Sequence, residues 1–150
     1  MKGRINKIVM LLIFALLAAL LSSVVAQAAY PYGVTNNVLS DKIEQASDGS
    51  YKTGKIIVAF KAQPQAITFQ SLTQIHFQKA GNYTVYLEII DENGKQRAIA
   101  GPLRVVAKSD DWIHSQIWKW RVVFNAAGTY QFTVRIDKDI VAKYPIRVSK

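Results

Sequence analysis

The sequence has 150 residues, no cysteine and a net charge of +9. The length predicts a single domain. The absence of cysteine excludes disulfide bonds, thiolate metal sites, thiol nucleophiles and haem attachment through Cys-x-x-Cys-His.

Residues 1–28 have the pattern of a secretory signal peptide. Lys2, Arg4 and Lys7 precede a long apolar block, and the segment closes on Ala26-Gln27-Ala28. We expect a signal helix that is cleaved after Ala28. The alternative is an uncleaved membrane anchor, because 8–29 is nearly long enough to span a bilayer. Both interpretations place residues 29–150 outside the cytoplasm, so we expect a secreted or periplasmic protein that is attached to a membrane only if the segment is retained.

The charge outside this segment remains positive. Residues 1–28 hold three of the 19 Lys and Arg residues and none of the ten acidic ones, so residues 29–150 carry a net charge of +6. Such a surface favours anionic partners, although the same charge also serves simple solubility. The basic residues are scattered along an exported chain, so we expect no nucleic-acid partner.

The next segment, 29–54, is predicted to be a leader arm followed by the first turn or strand. YPYGVTNN shows no periodicity, LSDKIEQ fits either a short strand or a helical turn, and ASDGSYKTG has turn composition.

Residues 55–150 are predicted to form the core of a β-sandwich. The segments are short, β-rich and separated by turns, which is typical of a sandwich or barrel. They are Lys55–Phe60, Ala66–Phe77, Tyr83–Ile90, Ala98–Val106, Ile117–Phe124, Tyr130–Ile136 and Val141–Val148. The chain is therefore predicted to be all-β, with seven or eight antiparallel strands.

The alternation of side chains predicts which faces are buried, because neighbouring residues on a strand point to opposite sides. From 130 to 136 the even positions are apolar, and 131, 133 and 135 are polar. From 142 to 148 the even positions are again apolar. Pairing these two faces predicts a three-residue loop at Asp137-Lys138-Asp139, since a two-residue loop would mix the faces.

The alternation of side chains also predicts the loop of the earlier hairpin, formed by Tyr83–Ile90 and Ala98–Val106. If Ile99, Leu103 and Val105 point inward with the odd residues of 83–89, the loop is Glu92-Asn93-Gly94, with Gly94 left-handed. The two return strands share the pattern PLRV and PIRV. Because proline cannot donate to a ladder, Pro102 and Pro145 are predicted to lie at sheet edges or beside bulges.

The sequence contains one nine-residue pattern twice, FQKAGNYTV from Phe77 and FNAAGTYQF from Phe124. Each copy is predicted to end a strand on an inward Phe, turn at a Gly and begin the next strand on an inward Tyr whose hydroxyl returns to the turn. The structural residues are Phe77, Gly81, Tyr83, Phe124, Gly128 and Tyr130. The copies start 47 residues apart, too close for two sandwich domains of ~100 residues, so we expect two hairpins of one core.

These hairpins resemble known immunoglobulin-like domains. FQKAGNYTVYLEIIDENGKQ is similar to the closing hairpin of polycystic-kidney-disease-type domains, and FNAAGTYQFTVRIDKDIVAKYPIRV is similar to the C-terminal hairpin of uncharacterised exported bacterial immunoglobulin-like proteins. The resemblance implies a single immunoglobulin-like β-sandwich. It implies no catalytic residue.

No pattern of catalytic or metal-binding residues is present. The two histidines, His76 and His114, lack the spacing of a zinc site, and His76 is expected to be exposed because it is out of phase with Phe77. Turn aspartates could gather a calcium ion, but their spacing matches no calcium loop. We therefore expect no metal, no cofactor and no enzymatic activity.

The segment WIHSQIWKW gives the candidate contact residues. Trp118 and Trp120 share the phase of the inward Phe124, so they are predicted to be buried, whereas Lys119 and Arg121 point outward. Trp112 is the tryptophan most expected to be exposed. The candidate contacts are Trp112, Lys119 and Arg121; stacking of exposed tryptophan rings on a glycan is the alternative to burial.

Two functions are compatible with these features. The first is a non-catalytic module that binds an unknown protein or glycan partner outside the cytoplasm. The second is a structural subunit of a surface layer or filament, assembled through edge strands and the arm at 30–37. The first predicts a monomer, and the second an edge-strand oligomer.

Overall fold

The computed structural model describes residues 30–150. The predicted signal peptide, 1–28, lies outside these residues. Across the described part of the chain, no helix is long and apolar enough to be a candidate membrane span.

The described residues form ten strands, more than the seven or eight predicted. They are β1 (Tyr32–Ser40), β2 (Ile43–Gln45), β3 (Tyr51–Thr53), β4 (Ala59–Lys61), β5 (Ile67–Phe77), β6 (Gly81–Ile90), β7 (Gln96–Ala107), β8 (Trp112–Val122), β9 (Gly128–Ile136) and β10 (Asp139–Ser149).

The strands form three sheets. One has the order β1-β5-β8, the second has the order β4-β10-β9-β6-β7, and β2 pairs with β3 alone. Within the two larger sheets, β5 pairs with β8, β6 with β9 and β9 with β10, all antiparallel. These correspond to the B–E, C–F and F–G pairings of an immunoglobulin sandwich. The fold is therefore an all-β, immunoglobulin-like β-sandwich with an additional two-stranded hairpin.

The hydrophobic core lies between the two larger sheets. It draws buried side chains from both, including Phe69 and Trp120 from one sheet and Phe132 and Val134 from the other. The rings of Trp120 and Phe132 meet edge to face with centroids 5.4 Å apart. Burial of each large apolar side chain contributes about 1.5–3 kcal/mol, which a cysteine-free domain needs because no disulfide supports it.

The two copies of the repeated pattern lie where the chain crosses between the sheets. The first connects β5 to β6, and the second connects β8 to β9. Because β5 and β8 are antiparallel, the crossings lie at opposite ends of the sandwich. Each crossing is followed by a hairpin, β6–β7 or β9–β10, in the five-stranded sheet.

Each copy packs a Phe ring against a Tyr ring. The ring centroids are 4.5 Å apart for Phe77 and Tyr83 and 5.0 Å apart for Phe124 and Tyr130. Both Phe side chains and Tyr130 are buried, and the half-buried Tyr83 packs against the same core. The repeat is therefore structural, as predicted.

The tyrosine hydroxyls also return to the turns. Tyr83 Oη donates to the carbonyl oxygen of Lys79 at 2.9 Å, and Tyr130 Oη donates to that of Ala126 at 3.1 Å. Both partners are four residues upstream, the geometry of the tyrosine corner of immunoglobulin-like sandwiches.

We expect Tyr130→Phe to lower the free energy of unfolding by about 1 kcal/mol, because the partly buried carbonyl of Ala126 loses its donor. Tyr83→Phe is the matched comparison and should cost less, since water reaches its hydrogen bond. Urea denaturation of both variants checks the order. A larger loss for Tyr83→Phe would contradict it.

The two repeat glycines have different roles. Gly128 has φ = 154°, and a Cβ there would lie 3.1 Å from Glu92 Oε2. The repeat predicts that both glycines adopt backbone angles that a Cβ would penalise. This is wrong for Gly81, because its φ is not positive. A Cβ at Gly81 would instead lie 3.4 Å from the Tyr83 ring, so this glycine leaves room for the aromatic side chain.

The loop prediction for the first hairpin is confirmed. Asp91 N donates to Lys95 O at 2.9 Å, which closes the loop Glu92-Asn93-Gly94, and Gly94 has φ = 78°.

The inward position predicted for Ile99 is wrong, since its side chain is 51% exposed. The register of β7 against β6 shifts by one residue between Ile89 and Ile90 and again between Val85 and Leu87. The first bulge turns Ile99 outward, and the second returns Leu103 and Val105 to the core side.

The predicted three-residue loop of the second hairpin is also wrong. Asp139 pairs directly with Ile136, so the loop is Asp137-Lys138, with Asp137 at φ = 52°. A bulge between Ile140 and Ala142 restores the alternation. The even residues 142–148 therefore face inward as predicted. Thr133, predicted to lie on the wet side, is buried.

Two N-terminal predictions need correction. The supposed arm contains β1, whose pairing with β5 includes Tyr32↔Phe77, and Tyr32 belongs to the core. The sandwich therefore begins before residue 55. The strand predicted at 55–60 is reduced to β4, because Ile56 forms only an isolated bridge to Ser40 and Val58 is 88% exposed.

Pro102 and Pro145 both lie where the absence of a backbone N–H donor is tolerated. Pro102 is at the second bulge of β7, the outer strand of its sheet. Pro145 lies in a part of β10 that β4 does not reach, because β4 pairs only with Arg147–Ser149.

Candidate functional site

The three tryptophans are distributed between core and surface largely as predicted. Trp118 and Trp120 are buried, and Trp120 Nε1 donates to Ser71 Oγ at 2.9 Å. Neither ring can stack on a glycan from solvent. Trp112 is half-buried and packs against the core, with Lys108 Nζ 6.0 Å from its ring centroid.

Lys119 and Arg121 lie on the outer face of the three-stranded sheet. They pair with Gln70 and Thr68 of β5, and both side chains are exposed. Ile113 has the same phase on β8 and is 60% exposed. Trp112 lies at the start of the same strand but faces the other way. The structure therefore places Ile113 on the same face as the two cations, about 20 Å from them along the strand. The alternation along β8 could have predicted this shared face.

β8 is also an outer strand of its sheet. It pairs with β5 in an unbroken register from Trp112 to Val122, and its other side has no paired strand among the described residues. It contains neither proline nor glycine. A long, regular edge strand is a ready surface for pairing with another chain.

The other edges of the two larger sheets are less suited to pairing. β1 has a register shift between Val34 and Asn36, and β7 has two shifts and Pro102. β4 has only three residues. Bulges, proline and short length are three of the devices by which natural proteins block edge pairing, and charged side chains are another. Of these four outer strands, β8 has none of the three.

The charges along the β8 region are unequally distributed. Asp110 and Asp111 immediately precede the strand, Lys119 and Arg121 lie near its end, and 112–118 carries no acidic or basic residue other than His114. Asp110 Oδ1 accepts a hydrogen bond from Ala80 N at 2.8 Å, and Asp111 Oδ1 lies 3.1 Å from His76 Nε2. The acidic turn is thereby held against the end of β5.

The histidines cannot act together on one ligand. His76 and His114 occupy opposite faces of the three-stranded sheet, since His76 pairs with the outward Ile113 and His114 with the inward Ile75. Burial lowers the pKa of His114. His76 is only partly exposed, because it contacts Asp111. Among residues 30–150, no group of three His, Cys, Asp or Glu side chains could hold a metal ion.

The most strongly bonded carboxylate has a structural role. Asp91 Oδ1 accepts the backbone N–H groups of Asn93 and Lys95, and Oδ2 contacts Arg97 Nη2 at 2.6 Å. The Lys95 N–H, supported by Arg97, lowers the pKa of Asp91. These contacts fix the β6–β7 loop.

An apolar cleft lies between β1 and β10. Its volume is about 220 Å³, and the lining includes Leu39, Ile57 and Ile146 but no charged side chain. The lining is apolar apart from Asn37 and Tyr144. The predicted contact residues Lys119 and Arg121 lie elsewhere, on the outer face of β8.

Comparison with known proteins gives a family. The model of the family of unknown function DUF6941 matches residues 60–149, more than half of the chain. No curated protein matches. The chain is also similar to an immunoglobulin-like protein from Pseudomonas aeruginosa, at 13% identity over 82% of this chain and 98% of that one, with a TM-score of 0.40. On the family match, the chain belongs to DUF6941.

Proposed function

We propose that this member of DUF6941 is an exported, non-catalytic binding module that works outside the cytoplasm. We also propose that the fold is a single sandwich whose hairpins are of the polycystic-kidney-disease type. Export is supported by the signal-peptide pattern of 1–28.

The observation that carries the proposal is the outer surface of β8. Lys119 and Arg121 are exposed on one face of a strand whose edge has no partner strand among the described residues. Two neighbouring cations suit a protein or glycan that presents negative charge. Ile113 lies on the same face but about 20 Å away along the strand.

A pair of charge-reversal variants tests this surface. The full chain is expressed in its host, and mass spectrometry identifies the form that accumulates, which should consist of residues 29–150. We expect Lys119→Glu/Arg121→Glu to weaken binding to the host envelope fraction by about tenfold or more, because opposite charges become like charges. Lys143→Glu/Arg147→Glu is the matched control, since both residues are exposed on β10 and the net charge changes equally.

Retention of binding by the control alone supports the proposal. Equal loss in both variants would show that only net charge matters, and unchanged binding in both would show that β8 is not the contact surface. Accumulation of the unprocessed chain in the cytoplasm would contradict export.

A structural subunit assembled through edge strands is the weaker candidate, because a filament needs two pairing edges and β8 is the one long, regular outer strand of the two larger sheets in the described residues. The N-terminal arm does not favour it, because Tyr32–Ser40 pairs within its own chain.

A further inference from the structure

We infer that the free edge of β8 pairs with β8 of a second copy of this chain, in antiparallel order around a two-fold axis at Gln116. The inference goes beyond the proposed function: it assigns a second copy of the chain to the edge of β8, whereas the cations on the outer face are proposed to contact an envelope partner.

The backbone of β8 is prepared for such pairing. All eleven residues from Trp112 to Val122 are in register with β5 without a bulge, so the strand presents a regular row of backbone groups on its other side. Pairing would join two three-stranded sheets into one sheet of six strands with the order β1-β5-β8-β8-β5-β1.

The charged side chains of β8 favour antiparallel over parallel pairing of the two copies. With the two-fold axis at Gln116, the uncharged residues of 112–118 occupy the centre, and the cations of the two copies lie at opposite ends of the strand pair. A parallel, in-register pair would instead place Lys119 opposite Lys119 and Arg121 opposite Arg121. Opposite charges directly across a strand pair stabilise it, and like charges destabilise it.

The same register also shields the exposed Ile113 side chain from water. Ile113, which is 60% exposed in the single chain, lies opposite Lys119 of the second copy, whose long aliphatic stem can cover it. Ser115 lies opposite Ile117. All these residues share the outer face, because directly paired residues of antiparallel strands point to the same side.

The geometry closes after two copies. A two-fold interface uses the same patch on both partners, so once β8 is paired it cannot add a third copy. The outer strands that remain carry the bulges, the proline or the short length described above. The expected species is therefore a dimer rather than a filament.

Sedimentation equilibrium of the processed protein across a wide concentration range tests the inference. We expect a monomer–dimer equilibrium. Ile113→Lys places like charges opposite each other twice per dimer and should weaken dimerisation by about tenfold. Adding Lys119→Glu in the same chain should restore it. Ile99→Lys is the control, because Ile99 is similarly exposed, at 51%, but lies on β7.

A wild-type protein that stays monomeric at all concentrations overturns the inference, as does a dimer that Ile113→Lys and Ile99→Lys weaken equally. Failure of the second variant to restore pairing overturns the register. If the protein is monomeric while Lys119→Glu/Arg121→Glu still loses envelope binding, only the inference fails. If the dimer forms but the envelope fraction is not bound, only the proposed function fails.

Discussion

Phe124→Ala should lower the free energy of unfolding by about 3–5 kcal/mol, the cost of truncating a fully buried aromatic side chain. Phe124 is 0% exposed, and its ring contacts Phe60 and Tyr130 with centroid distances of 4.8 and 5.0 Å. The truncation therefore opens a cavity at the crossing from β8 to β9. Chemical denaturation followed by tryptophan fluorescence measures the loss.

The neighbouring residue gives a matched control for this prediction. Val123 is 41% exposed, so Val123→Ala should change the free energy of unfolding by no more than about 0.5 kcal/mol. A loss below about 1 kcal/mol for Phe124→Ala would mean that the second repeat does not enter the core.

Gly101→Ala should destabilise the domain by about 2–3 kcal/mol, because the residue combines an unfavourable backbone angle with a close backbone approach. Gly101 has φ = 115°, and a Cβ there would lie 2.7 Å from the carbonyl oxygen of Val85 and 3.3 Å from the Cα of Tyr86. Both neighbouring atoms belong to the backbone of β6, so neither can rotate away. Thermal and chemical denaturation report the effect.

Gly33→Ala is the control for this second prediction. No atom lies within 4 Å of a Cβ built at Gly33, and its φ is not positive, so the change should stay within about 0.5 kcal/mol. Equal effects at both glycines would contradict the close approach at the bulge of β7.

The alternation of side chains predicted the buried faces wherever a strand is regular. It placed Trp118 and Trp120 in the core and Lys119 and Arg121 in solvent, because β8 has no bulge. It failed at Ile99, because each inserted residue reverses the parity of a strand. Local composition does not locate such insertions, since they depend on what the partner strand presents.

The role of β1 was hidden for a similar reason. YGVTNNVLS has no clear alternation, and its strand conformation comes from pairing with β5. One part of the candidate site could be predicted from the sequence and the other part could not. The cations of β8 follow from sequence, but that β8 is an outer strand follows only from the order of strands in the sheet, which no local pattern encodes.

If both repeats lead into one interior shared by two sheets, proton–proton distances measured by NMR will connect side chains from the two sheets. Trp120 comes from the three-stranded sheet and Phe132 from the five-stranded sheet, with ring centroids 5.4 Å apart. We expect strong nuclear Overhauser contacts between these two rings. Their absence, with both rings assigned, would show that the sheets do not pack face to face.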